Sequence, residues 1–168
     1  MESPHERALR DIEEIFEDRL KRGGPAPPGV PDAGDALASV SPMSAEEVKL
    51  LAEVDGRYSV PLVALGAGMA TKPDPEGGSI LIHFDLMRDL RLPEHEESWV
   101  EAEPGTSWLQ LDDFLRARGW GLAVYPSSAP LATVGGWLAM DGLGVGSFEY
   151  GWLRENVLWV SVVLPPSP

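Results

Sequence analysis

Val60-Pro61-Leu62-Val63-Ala64-Leu65-Gly66-Ala67-Gly68 is an apolar run of strand length that ends on two glycines one residue apart. An unbroken apolar run suits a strand buried on both faces and reached by a crossover connection, because a half-buried strand would alternate polar and apolar positions. Proline is tolerated at position 61, the strand's start. The glycines allow positive φ and let the backbone approach phosphate oxygens closely. A tight glycine turn between two strands explains the segment equally well. A nucleotide-triphosphate loop and a dinucleotide fingerprint both fail here, since Thr71 stands where a further glycine belongs and Pro73 blocks a following helix.

Around this stretch the chain alternates strands and helices. Leu37 to Val40 is a short apolar stretch, followed by a capping box at Ser44-Ala45-Glu46-Glu47 and a helix carrying Val48, Leu51 and Ala52. Ser79 to Phe84 and Trp99 to Glu103 read as further strands. Thr106 or Ser107 caps a helix with Trp108, Leu111, Phe114 and Leu115 on one face, closed by Gly119. Leu122 to Tyr125 is extended and enters the loop Pro126-Ser127-Ser128-Ala129-Pro130. Val157 to Leu164 is almost unbroken apolar sequence and reads as a buried strand stopped by Pro165-Pro166.

At the other end, Ser3-Pro4-His5-Glu6 is a capping box, and Leu9, Ile12, Ile15, Phe16 and Leu20 recur at helical spacing, which predicts a helix over 4–22. Gly23-Gly24 ends it, and the prolines between 25 and 31 make an extended linker. The expected organisation is therefore an N-terminal helix and linker over residues 1–36, set apart from an α/β domain over 37–168. Spacing alone leaves open what the helix docks on.

Composition narrows the function. The 168 residues carry 27 acidic against 13 basic side chains, a net charge of −14, which opposes binding to nucleic acid phosphates. The absence of cysteine removes disulfides, thiolate metal ligands, a cysteine nucleophile and a flavin tethered through sulfur. The first twenty residues mix charges of both signs, and no apolar run approaches eighteen residues, so a cytoplasmic protein without a membrane span is expected. No serine elbow exists, and no histidine pair has the spacing of a metal site: Trp99 stands where a partner of His95 would. His83 is read as a strand residue facing solvent or a polar neighbour. Asp141, beside a glycine-rich stretch, is the carboxylate to watch.

A second glycine signal is Ala132-Thr133-Val134-Gly135-Gly136, in which Thr133 caps a short helix over Val134 to Met140. Helix N-termini attract anions. Glycines in a first turn have no propensity advantage, so a close neighbour must explain them: a ligand, or another element packed tightly.

Taken together and in order, these segments resemble the FAD-binding domain of the vanillyl-alcohol oxidase and p-cresol methylhydroxylase (PCMH-type) superfamily, and within it the glycolate oxidase and D-lactate dehydrogenase branch. The matching stretch runs from about Ser44 to Leu164. It includes Glu76-Gly77-Gly78, Val100-Glu101-Ala102-Glu103-Pro104-Gly105, Gly144-Val145-Gly146-Ser147-Phe148-Glu149-Tyr150-Gly151 and Arg154-Glu155-Asn156-Val157. The resemblance implies an α/β (α+β) fold: a first small α/β subdomain plus part of a second, with non-covalent FAD. Gly66, Ala67, Gly68, Met69 and Ala70 would line a first phosphate loop. Pro126, Ser127, Thr133, Val134, Gly135 and Gly136 would line a second, and Gly144, Gly146, Ser147 and Gly151 would shape the backbone near the flavin.

The implied activity is oxidation of a 2-hydroxy acid or similar alcohol with hydride passing to flavin N5. No catalytic residue is assigned, because in such relatives the base lies mostly beyond the matched portion. The chain is expected to be an incomplete module, with a partner chain supplying the rest of the domain and the substrate domain. A degenerate, non-flavin-binding scaffold is the alternative. It is favoured by Leu65 where an arginine is usual, by Met69-Ala70 in place of a threonine and a small residue, and by a first loop about three residues short.

Overall fold

The computed structural model describes residues 2–23, 36–68, 78–93 and 99–165. They fall into two compact units, Met1–Leu86 with Ser161–Pro168, and Met87–Val160.

The first unit is a four-stranded sheet with helices on one face. Helix α1 (Pro4–Phe16) opens on Ser3, whose hydroxyl accepts from the Glu6 amide, and ends six residues earlier than its apolar spacing predicts. Glu17 turns to φ 49, a 3-10 turn covers Glu17–Arg19, and Leu20–Arg22 becomes strand β1. Leu20 continues the helical spacing only by coincidence, being buried instead as a strand residue opposite Val40. Strands β2 (Ala38–Val40), β3 (Leu62–Leu65) and β4 (Ile80–His83) follow, with helix α2 (Ala45–Tyr58) between β2 and β3. The order is β1-β2-β4-β3, with β2, β4 and β3 mutually parallel and β1 antiparallel.

The centre of the sheet is β4, buried along its whole length, whereas β3 is an edge strand and only half-buried. The apolar run at 60–65 therefore does not mark a strand covered on both faces. Val60 lies in the core ahead of β3, and Ala64 is exposed.

The N-terminal helix packs into this unit. Ala8, Leu9, Ile12 and Phe16 share a core with Leu51, Val54, Val60, Ile80 and Ile82. Two polar ties fix α1 antiparallel to α2. Tyr58 donates to Asp11 at 2.6 Å, and Arg19 donates to both oxygens of Glu47 at 2.6 and 2.8 Å.

The second unit has little sheet. Strands β5 (Leu90–Arg91) and β6 (Glu101–Ala102) pair antiparallel, so only two residues of the expected strand at 99–103 are in a ladder. Helix α3 (Trp108–Arg116) begins on a complete capping box between Ser107 and Gln110, and the turn that follows it is closed, as expected, by Gly119. Gly119 takes φ 81, while the Trp120 amide reaches back to the Leu115 carbonyl. Helix α4 (Val134–Ala139) is capped by Thr133, and α5 (Ser147–Tyr150) is a single turn. Trp108 and Trp137 meet edge to face, 4.9 Å between centroids, within a core that includes Leu111, Leu115, Val124, Ala132 and Leu153.

The apolar run Val157–Leu164 forms no strand. Among the described residues no strand pairs with it: Trp159 meets Trp99 edge to face, 6.4 Å between centroids, but Leu158, Trp159, Val160, Val162 and Leu164 are exposed. Apolar patterning reports what a segment would bury, and no described strand lies beside this one to bury it.

Candidate functional site

The first candidate loop leaves the carboxyl end of β3. Gly66 is exposed, Ala67 half-buried, and Gly68 buried with φ 69, a conformation that glycine adopts without the steric cost it carries for other residues. Met69 and Ala70, expected to continue the loop, lie outside the described residues. Because β2, β4 and β3 are parallel, their carboxyl ends at Val40, His83 and Leu65 share one edge of the sheet, the edge at which open α/β sheets hold ligands. His83 does not face solvent as its position suggests. It is 8% exposed, and its Nε2 has no hydrogen-bond partner among the described residues. Burial, the dominant effect, holds its pKa below the ordinary histidine value, against an opposing pull from Asp85 and with a smaller push from Lys21.

The second loop lies in the other unit. Tyr125 and Val145 exchange backbone hydrogen bonds at 3.1 and 2.9 Å, which seats the Gly144–Gly146 turn against the extended strand before Pro126. Thr133 caps α4 as its position predicts, accepting from the Gly136 amide at 3.2 Å. The other amides of that helix end are also taken: Val134 N–H donates to the Thr106 carbonyl at 2.8 Å and Gly135 N–H to the Pro104 carbonyl at 3.0 Å. The helix end therefore has these three donors engaged within the protein. The neighbour that explains Gly135 is Pro104, since a Cβ on Gly135 would stand 2.7 Å from the proline Cβ. Nothing in the sequence before residue 105 signals that approach.

The other glycines have comparable reasons. A Cβ on Gly144 would meet the Tyr125 carbonyl oxygen at 2.3 Å, and one on Gly146, itself at φ 86, would meet the Ala123 carbonyl oxygen at 2.0 Å. Gly151 takes φ 81 beside the Glu155 carboxylate, which accepts from Trp152 N–H. Ser147 accepts from Gly144 N–H at 3.0 Å. Close chain-to-chain approach thus accounts for these residues locally. Asp141 adopts φ 51 and pairs with Arg154, leaving its Oδ1 buried without a partner among the described residues.

Whether a dianionic dinucleotide suits these loops turns on the donors left over. Among the described residues none accepts from the amides of Ser127 and Ser128, both of which also carry hydroxyls. From Tyr125 to Gly136 there is no acidic side chain. An anion would meet dipoles there and no carboxylate of the loop itself, although the protein as a whole is strongly acidic. Gly66 to Gly68 likewise offer bare backbone. Taken each by itself, Ser127-Ser128 and the first glycine turn offer donors of the kind phosphate oxygens accept from, whereas the end of α4 does not. No group of three potential metal ligands occurs among the described residues. No described helix is long and apolar enough to cross a membrane.

A family model described as an FAD binding domain matches residues 36–167. Among curated proteins, the chain is 33% identical over 129 residues to the mitochondrial D-lactate dehydrogenase [cytochrome] of Arabidopsis thaliana, covering 75% of this chain and 22% of that protein. It is 28% identical over 162 residues to a D-lactate dehydrogenase of Archaeoglobus fulgidus, covering 93% and 36%. Among solved structures, alkyldihydroxyacetonephosphate synthase superposes with a TM-score of 0.76 at 22% identity, over 92% of this chain and 32% of that one. For p-cresol methylhydroxylase the TM-score is 0.65 at 16% identity, over 84% and 30%. These likenesses carry the PCMH-type fold. The chain spans about a fifth to a third of the length of these relatives.

Proposed function

The chain belongs to the FAD-binding domain family, and from that premise we propose that it is the nucleotide-holding part of a flavin-dependent oxidoreductase acting on a 2-hydroxy acid or similar alcohol. Its cofactor is FAD. FAD supplies the hydride acceptor when bound, and the chain's own residues hold and orient the nucleotide. The proposed contacts are Gly66, Ala67, Gly68, Met69 and Ala70 on one loop, and Pro126, Ser127, Thr133, Val134, Gly135 and Gly136 on the other. Within the second set, the Ser127 amide and hydroxyl and the neighbouring Ser128 are the direct donors. Thr133 to Gly136 act by fixing the loop, their amides being engaged already. Gly144, Gly146, Ser147 and Gly151 keep the backbone thin beside it. No catalytic base is assigned.

The observation that carries this reading is a loop of unengaged amides and hydroxyls free of acid, inside a matched flavin-binding domain. Many exposed apolar side chains, with Phe148 fully exposed and Leu158 73% exposed, support a further polypeptide that covers them and brings the substrate-binding part. A second reading, a scaffold that no longer holds flavin, is favoured by Leu65 before the first loop and by the engaged amides of α4.

Titration of the full chain with FAD to about 50 μM, followed by quenching of flavin fluorescence, separates the two, since it detects a Kd of roughly 10 μM or tighter. Saturable quenching that Ser127→Asp removes is the expected result. The absence of any quenching leaves only the scaffold.

A further inference from the structure

His83 carries a ring nitrogen with no hydrogen-bond partner among the described residues, in a place where a core residue needs none. It closes β4, and its register partner on β3 is Leu65, the residue immediately before Gly66. Adjacent strands lie about 4.8 Å apart, so the His83 backbone stands one strand spacing from the start of the first glycine turn. Side chains alternate along β4. Ile80 and Ile82 pack with α1 and α2, while Leu81 packs with Leu65 on the opposite face, the one His83 shares by register. The imidazole is thus on the face away from the helices, at the carboxyl edge of three parallel strands, and its Nε2 is buried without a partner among the described residues. A leucine would fill the same volume without an unsatisfied polar atom, and Leu65 shows that the neighbouring position on this edge accepts one.

We propose that His83 is a binding contact for the FAD phosphate held at the Gly66–Gly68 turn, donating a hydrogen bond from its ring to a phosphate oxygen. This rests on the proposed FAD site and names a side chain within it. An imidazole suits the task. Buried and uncharged in the ligand-free protein, it costs less desolvation than a lysine or arginine would at that edge, yet it still offers an N–H to an anion. Among the described residues the charged groups that act on it are Asp85, just beyond β4, and Lys21 on β1. Lys21 offsets the carboxylate near the same edge.

The test compares the full-length parent with His83→Leu, His83→Gln and Ser79→Ala, reading FAD affinity by fluorescence quenching and the melting temperature of each ligand-free chain. Ser79, on the same face of the sheet, also has a buried oxygen without a partner among the described residues, but at the opposite end of β4. His83→Leu should melt at or above the parent and bind FAD about tenfold or more weakly, the size of one hydrogen bond to a charged group. His83→Gln, which keeps a donor, should recover most of that loss, and Ser79→Ala should leave affinity unchanged. Should His83→Leu not fold, His83→Met takes its place as the variant without a donor. Parent-like affinity in the leucine or methionine variant, or equal weakening in the glutamine variant, overturns the contact while leaving the proposed FAD site standing. A parent that takes up no FAD overturns both.

Discussion

Gly135→Ala tests whether the paired glycines of α4 serve packing. A Cβ at this position would lie 2.7 Å from Pro104 Cβ, 3.0 Å from its Cα and 3.1 Å from its carbonyl oxygen. Carbon pairs settle at about 3.5–4.0 Å, so the two segments would have to part by about 1 Å. That displacement strains the hydrogen bonds crossing the same gap, Gly135 N–H to Pro104 and Val134 N–H to Thr106. Overpacking of this kind costs about 1–3 kcal/mol and a weakened hydrogen bond up to about 1 kcal/mol, against a helix-propensity gain of about 1 kcal/mol for alanine. The net is a loss of about 1–3 kcal/mol, or roughly 2–12 °C in the melting temperature of a chain of this length.

The melt is followed by tryptophan fluorescence and near-ultraviolet circular dichroism, to which the Trp108–Trp137 pair in the same core contributes. Gly121→Ala is the control, since nothing lies within 4 Å of a Cβ there. Gly135→Asp should melt lower still, so any loss of FAD in that variant follows loss of fold and says nothing about a phosphate at this residue. A Gly135→Ala chain that melts with the parent would refute the steric account and return this glycine to a ligand.

Two further outcomes follow from the first unit. Phe16→Ala, at a side chain 1% exposed, should cost about 3–5 kcal/mol, and an unchanged melt would show that α1 is no part of the core. Arg19→Met should cost about 1–3 kcal/mol, because it leaves Glu47, only 22% exposed, without its bidentate partner. Its pH dependence has a definite sign: the Arg19 hydrogen bonds hold the Glu47 carboxyl below its ordinary value. The stabilisation is therefore complete above the unfolded-state pKa of about 4.3 and lost as pH falls through the folded one. Acid titration of the parent should show this loss between those values, and Arg19→Met should flatten it.

Local chemistry was legible wherever the signal and its effect lie within a few residues. The capping residues Ser3, Ser44, Ser107 and Thr133 and the closure of α3 at Gly119 stand in the sequence as they do in the structure. So did the family, because an ordered set of glycine segments is specific even where each alone is not. The end of α1 was not legible, since Leu20 satisfies a helical period and a strand partner equally, and only the presence of Val40 opposite decides between them. Nor was the role of Gly135, whose neighbour lies thirty-one residues away in sequence.

What the sequence determined by itself is therefore the α/β character, the capped helices and membership of a flavin-binding family, all of which rest on short-range patterns and composition. Tertiary structure alone decided that β4 and not β3 is the buried centre of the sheet, that α1 belongs to the core, that His83 is buried without a partner for its Nε2 among the described residues and that the α4 amides are engaged. Each of these depends on which distant segment arrives alongside. Hydrophobicity states how much a residue gains by being covered, and the chain's path through space states what covers it.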